Sequence, residues 1–171
     1  SWIVIADPFS KKGVERLYRY KNAEKLKHFS LLCDTISRAS EVAVIDDNVF
    51  RMINKKIPGH FTFIFEATKK ITRAVQANKT DREVGLRFVP STLVQKLIET
   101  HGDVLISSHL DKPKMGLSEE DEVLSYQIED SLSAELSMIL DPGDYEFAGA
   151  STIIDFTTGA PEIIRQGVGS I

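Results

Sequence analysis

The side chains this sequence spaces for chemistry are cations and hydroxyls, not acid–base pairs. Its single cysteine, Cys33, cannot form an internal disulfide or a metal cluster by itself, and its four histidines, His28, His60, His101 and His109, show no ligand spacing. No structural metal is expected. Hydrolase triads, dinucleotide fingerprints and phosphate loops are absent, since Gly167-Val168-Gly169 is too short and does not lie between a strand and a helix. Classical covalent catalysis is not expected. What remains is a set of cations and hydroxyls at strand ends, which suits an anionic ligand better than an acid–base pair.

The elements that must position them centre on Pro58 to Thr68. Pro58 cannot continue a helix and Gly59 accepts backbone angles closed to other residues, so the pair ends a helix predicted from Asp46 to Ile57. A strand follows, in which Phe61, Phe63 and Phe65 alternate with Thr62, Ile64 and Glu66. Thr62 is thereby expected at the mouth of a sheet, beside a turn. The same pattern also fits an ordinary buried strand behind a Gly turn.

Before this stretch, Trp2 to Ile5 reads as a short strand and Asp7-Pro8 with Ser10 as a turn opening a helix over Lys12 to Tyr20. Lys12, Arg16 and Arg19 share one face of that helix, and a solvated surface is the commoner reason for such a face. Leu31 and Leu32 begin a buried strand. Lys69 to Gln76 reads as a turn with a short helix, Val84 to Phe88 as a strand, and Leu93, Val94, Leu97 and Ile98 as a helical stripe ended by His101-Gly102. Val104 to Ser107 is a further strand. Ser118 with Asp121 predicts a helix start, Met138 to Leu140 a strand, and Thr152 to Phe156 with Glu162 to Arg165 a hairpin. Strands and helices alternate in the middle while the end is hairpin-like. The expected class is α/β, a twisted mixed sheet flanked by helices.

With 171 residues and 42% hydrophobic content the chain suits one domain with a real core. It holds no apolar run long enough to span a bilayer and no secretory pattern, so a cytoplasmic protein without a membrane role is expected. The net charge of −4 argues against nucleic acid held over the whole surface. Lys and Arg nevertheless crowd the first half, whereas Glu119, Glu120, Asp121 and Glu122 form an acidic run. Phosphate ligands are expected in the first half.

Pro58-Gly59-x-Phe61-Thr62-Phe63-Ile64 resembles the Pro-Gly-x-Tyr/Leu-Thr motif of the YrdC/YciO family, whose best-known members are threonylcarbamoyl-AMP synthases. Gly85-Leu86-Arg87, Leu105-Ile106-Ser107-Ser108 and Ser151 to Asp155, running on to Arg165-Gln166-Gly167-Val168-Gly169, follow in the family's order and cover most of the chain. The spacing from Arg19 to Cys33 is closest to YciO-type members. The resemblance implies a single YrdC-like domain over residues 1–171. It also implies a reaction in which L-threonine and bicarbonate, joined as a carbamate, attack the α-phosphate of ATP and release pyrophosphate. Mg²⁺ comes with the ATP, and the product serves tRNA adenosine modification.

Site roles follow from the same resemblance. Arg19 and Lys21 match a Lys/Arg-x-Arg motif for the ATP phosphates, with His28, Thr62, Ser108 and Arg165 as further ATP contacts. Cys33, Arg87 and Ser151 match positions around the threonine site. Without the resemblance, Ser151 reads as a strand-edge serine and Arg165 as a surface ion-pairing residue. Departures are plain: Lys21 lacks the arginine fork, Cys33 stands for a histidine, and Leu110 stands where the Ser-x-Asn motif has Asn and can make no side-chain hydrogen bond. The family's Pro-Thr-Asp-Thr loop after the first strand is missing between Ile5 and Ala6, and an omitted segment there is favoured over true loss. These departures keep open a YciO-like module that binds double-stranded RNA, tRNA or nucleotide with little synthase activity, and also a regulatory domain with a vestigial cavity.

Overall fold

The computed structural model describes residues 1–22, 29–75 and 82–171. Seven strands among them form one mixed sheet: β1 (Ile3–Ala6), β2 (Ser30–Leu32), β3 (Phe61–Glu66), β4 (Glu83–Arg87), β5 (Leu105–His109), β6 (Thr152–Asp155) and β7 (Glu162–Arg165). Their order across the sheet is β1-β5-β2-β4-β3-β6-β7, with β2/β4 and β3/β6 parallel and the other neighbours antiparallel. The helices are α1 (Lys11–Lys21), α2 (Ile36–Ala39), α3 (Asp47–Asn54), α4 (Lys69–Ala74), α5 (Thr92–His101) and α6 (Ser125–Leu132).

Strand alternation decides which face is core. Phe61, Phe63 and Phe65 are buried on one face with Leu31, Leu86, Ile106 and Ile154, against Val14 and Leu17 of α1, Ile53 of α3, Ile71 of α4 and Ile128 of α6. The phenylalanine rings form a ladder in which Phe61 stacks on Phe63 at 5.6 Å and Phe65 on Phe156 at 5.1 Å, while Phe63 meets Phe65 and Phe156 tilted. On the other face, among the described helices, only α5 packs, burying Ile98 against Leu32 and Leu105. Much of that second face stays open, and Thr62, Gly85 and Arg87 stand on it.

Capping accounts for several boundaries. Ser10 Oγ accepts from Gly13 N at 3.1 Å to open α1, and Asp46 Oδ1 accepts from Asn48 N and Val49 N at 2.8 and 2.9 Å to open α3. Gly102, with φ of +87°, closes α5. Three expectations need correction. The helix from Asp46 ends at Asn54, short of Ile57. Asp121 does accept from Ser118 N at 2.6 Å, but this makes a local turn, and α6 starts only after Leu124, whose N–H donates to Gln127 Oε1 at 2.8 Å. Met138 to Leu140 forms no strand: it pairs with neither edge strand, β1 or β7, and runs as irregular chain along the cavity with Ile139 packed against the core.

β1 passes without interruption through Ile5 and Ala6, which pair with Ser107 and Ile106. The turn at Asp7–Ser10 follows it, where the Ser10 N–H donates to the Asp7 carbonyl at 3.2 Å.

Candidate functional site

Register places the site. Residues paired across neighbouring strands point to the same side, so Thr62, Ile153 and Arg165, paired in that sequence across β3, β6 and β7, share one face. A shift of register between Ile153 and Ile154 brings Glu162 to that face as well. Gly85 and Arg87 of β4 join them through the Ile64–Gly85 pair. At β5 the face carries Leu105, Ser107 and His109.

The closest assembly is Thr62, Ser151 and Arg165. Thr62 Oγ1 and Ser151 Oγ lie 2.8 Å apart, while Arg165 donates from Nε and Nη2 to the Ser151 carbonyl at 3.1 and 2.8 Å and from Nη2 to Ser151 Oγ at 3.2 Å. With its oxygen accepting from Arg165, Ser151 can give its own proton to Thr62. Thr62 then keeps a proton free for a ligand oxygen.

Arg87 stands nearby with its Nε buried and without a hydrogen-bond partner among the described residues. Burial, then the positive charge of Arg165, push its guanidinium below the usual arginine range. At His109 crowding by surrounding protein, then the charges of Arg87, Lys21 and Arg165, push the imidazole below its ordinary range. Lys21 reaches the rim, donating from Nζ to the His109 carbonyl at 3.3 Å. Like charges are thus held together on one sheet face.

These groups line an open cavity of about 2650 Å³. Its floor is the open sheet face, apolar toward Ile3, Ile5 and Leu105 and polar toward Thr62, Arg87 and Ser151. Chain from Glu135 to Ala150 forms the opposite wall, tethered where Arg16 Nη1 donates to Ser137 Oγ at 3.0 Å. A second cleft of about 390 Å³ beside Cys33, Asp34 and Phe88 holds none of Thr62, Arg87, Ser151 or Arg165.

Of the residues expected in the site, Thr62, Arg87, Ser151 and Arg165 converge on the cavity and Lys21 reaches its rim. Ser108 does not: it pairs with Val4 and is buried on the helical face, because its neighbours Ser107 and His109 take the open one. Cys33 is sealed in the core one residue past Leu32, and burial, then the charge of Asp34, raise its thiol far above the ordinary range. Arg19 is exposed on α1 outside the cavity wall. His28 lies outside the described residues. Leu110 sits half-buried at the cavity edge and packs against the core. Sequence reasoning missed His109 and Arg16. The two-residue alternation Leu105, Ser107, His109 is a signal that could have found the first, and nothing local marks the second. Among the described residues no three His, Cys, Asp or Glu gather as a metal site, and no helix is long and apolar enough to cross a membrane.

Residues 1–167 match the profile of the Sua5/YciO/YrdC family, described as "Telomere recombination". This chain belongs to that family. Within it, the uncharacterized protein YciO of Escherichia coli K12 is 29% identical over 161 residues, covering 94% of this chain and 76% of the relative. The crystal structure of E. coli YciO superposes with a TM-score of 0.78 at 30% identity, covering 98% of this chain and 79% of that one. Sua5 from P. abyssi, solved with L-threonine, shares the family fold at TM-score 0.75 and 18% identity, covering 95% of this chain and 46% of that one.

Proposed function

We propose that the cavity binds ATP and an L-threonine carbamate and supports adenylyl transfer between them. The observation that carries this reading is the buried, unpartnered Nε of Arg87 beside Arg165. A cation so placed is costly unless an anion completes it, and a polyphosphate is the anion whose charge matches several such groups at once. The hydroxyls of Thr62 and Ser151, linked at 2.8 Å, are suited to orient a phosphate or carboxylate oxygen. Family membership supports the nucleotide, and the L-threonine named with P. abyssi Sua5 supports the amino acid.

In the proposed step a carbamate oxygen, made from L-threonine and bicarbonate, forms a bond to the α-phosphorus while the bond to the bridging oxygen of pyrophosphate breaks. Arg87 and Arg165 offset the charge of the phosphates, and Thr62 and Ser151 hold oxygens in line, so catalysis rests on positioning and charge rather than on a protein nucleophile. Mg²⁺ brought with the ATP would add charge neutralisation at the phosphates beside that of Arg87 and Arg165. The product is the kind of activated carbamate used in tRNA adenosine modification, with tRNA or double-stranded RNA as a further partner, in the cytoplasm.

A second reading, nucleotide or RNA binding with little synthase activity, is favoured by Ser108 and Cys33 facing the core. Pyrophosphate release with ATP, L-threonine and bicarbonate separates the two. Release that requires all three substrates supports the synthase. ATP binding without release supports the binding module, and codons for extra residues between Ile5 and Ala6 in the natural transcript favour the synthase.

A further inference from the structure

The Gly167-Val168-Gly169 run, which fits no phosphate loop, is bonded by Thr152 from the far side of the sheet from the cavity. Thr152 is completely buried, and alternation points it away from the face that carries Ser151 and Ile153. Its hydroxyl donates to the Gly169 carbonyl at 2.8 Å and accepts from Gly167 N at 3.0 Å and Gln166 Nε2 at 3.3 Å. That uses the one proton and both lone pairs of a hydroxyl. Gln166 Nε2 also donates to the carbonyls of Gly167 and Gly169 at 3.0 and 3.1 Å, and Val168 N donates to Ala150 O at 2.9 Å.

The glycines are dictated by this approach. A side chain at Gly169 meets the His60 carbonyl at 2.6 Å and the Phe61 ring at 2.8 Å, and one at Gly167 runs into the backbone of Ala150 and Ser151. The turn therefore lies directly on the backbone of residues 149–152 and on the start of β3. Immediately before it stands Arg165, whose guanidinium is held on Ser151, and Ser151 is held on Thr62.

We propose that Thr152 is a positioning residue for the anion site: by latching the turn 166–169 beneath the sheet it fixes Arg165 and Ser151 above it, without touching any ligand. The claim about ligand rests on the ATP reading given above, whereas the latch itself is readable without ligand. Removing the hydroxyl leaves the Gly167 N–H without its acceptor and the Gly169 carbonyl with Gln166 Nε2 alone, while keeping the side chain's volume, a loss large enough to free the turn. Thr152→Val should then release Arg165, and Thr152→Ser, which restores the hydroxyl, should hold it.

The test is ¹H–¹⁵N spectroscopy of the Arg165 Nε–H, together with ATP titration, on the full chain and both variants. In the wild type this N–H donates to the Ser151 carbonyl at 3.1 Å, which should slow its exchange, and a wild type that shows no such slowing overturns the proposal. Thr152→Val should lose that protection and weaken ATP binding roughly tenfold or more, while Thr152→Ser keeps both near wild type. A protected Arg165 Nε–H or unchanged ATP affinity in a folded Thr152→Val overturns the proposal, as does failure of Thr152→Ser to restore them. If Thr152→Val does not fold, Gln166→Ala, which removes one arm of the latch, must show a partial loss of the same protection, and full protection overturns the proposal. A wild type that protects Arg165 but binds no ATP contradicts the nucleotide reading, and the variants then judge the latch by protection alone.

Discussion

A guanidinium shielded from water, with one N–H unpaired and another arginine close by, costs folding energy, and Arg87 is in all three situations. Arg87→Met keeps much of the side chain's length and removes the charge. It is expected to stabilise the free protein by about 1 kcal/mol, as when a poorly compensated buried charge is replaced by an apolar side chain, and to weaken ATP binding at the same time. Denaturant titration with a binding isotherm checks both, and a variant that is less stable and binds normally contradicts this account of Arg87. His109 makes a pH-dependent case. Its folded pKa lies below the ordinary value of 6.5, so as pH falls through 6.5 the unfolded chain takes the proton first and stability is lost down to the folded pKa. An anion in the cavity removes that penalty by favouring the imidazolium. Proton uptake on ATP binding below pH 6.5 should thus be greater for wild type than for His109→Gln, as calorimetry in buffers of different ionisation heat would measure.

At the scale of elements, β3 joins the core to the site, with its phenylalanines on the helical face and Thr62 on the open one. Phe63 is fully buried between the rings of Phe61, Phe65 and Phe156. Phe63→Ala should cost about 3–5 kcal/mol of stability, read by chemical denaturation, and a loss under 1 kcal/mol contradicts the ladder's role. This strand was legible in sequence because a two-residue aromatic alternation behind Pro-Gly has few other solutions, and the hairpin of β6 and β7 because Gly159 and Pro161 punctuate two short apolar runs. Met138 to Leu140 misled because a short apolar run has strand composition whether or not an edge is free to pair with it. Ser108 misled in another way. A single-residue choice of face depends on register with β1, and Val4 takes the position opposite it. The Thr62–Ser151–Arg165 group joins residues far apart in sequence and was legible only through resemblance to a family pattern. Arg16 in the cavity wall had no signal, since its partners lie 119 and 121 residues away.

For the whole molecule, the sheet divides the labour. One face carries most helices and the core, and the other carries α5 and a cavity of about 2650 Å³ where Thr62, Arg87, Ser151 and Arg165 meet. A chain of net charge −4 gathers these cations on one surface, so anion binding is a local property of that face. The most direct measurement is calorimetric titration of ATP into the wild-type protein and into Arg165→Ala. The account predicts saturable one-site binding by the wild type and a loss of about 1.5–3 kcal/mol in the variant, the usual worth of a charge-assisted hydrogen bond. Equal affinity in the two proteins, or no binding by the wild type, would contradict it.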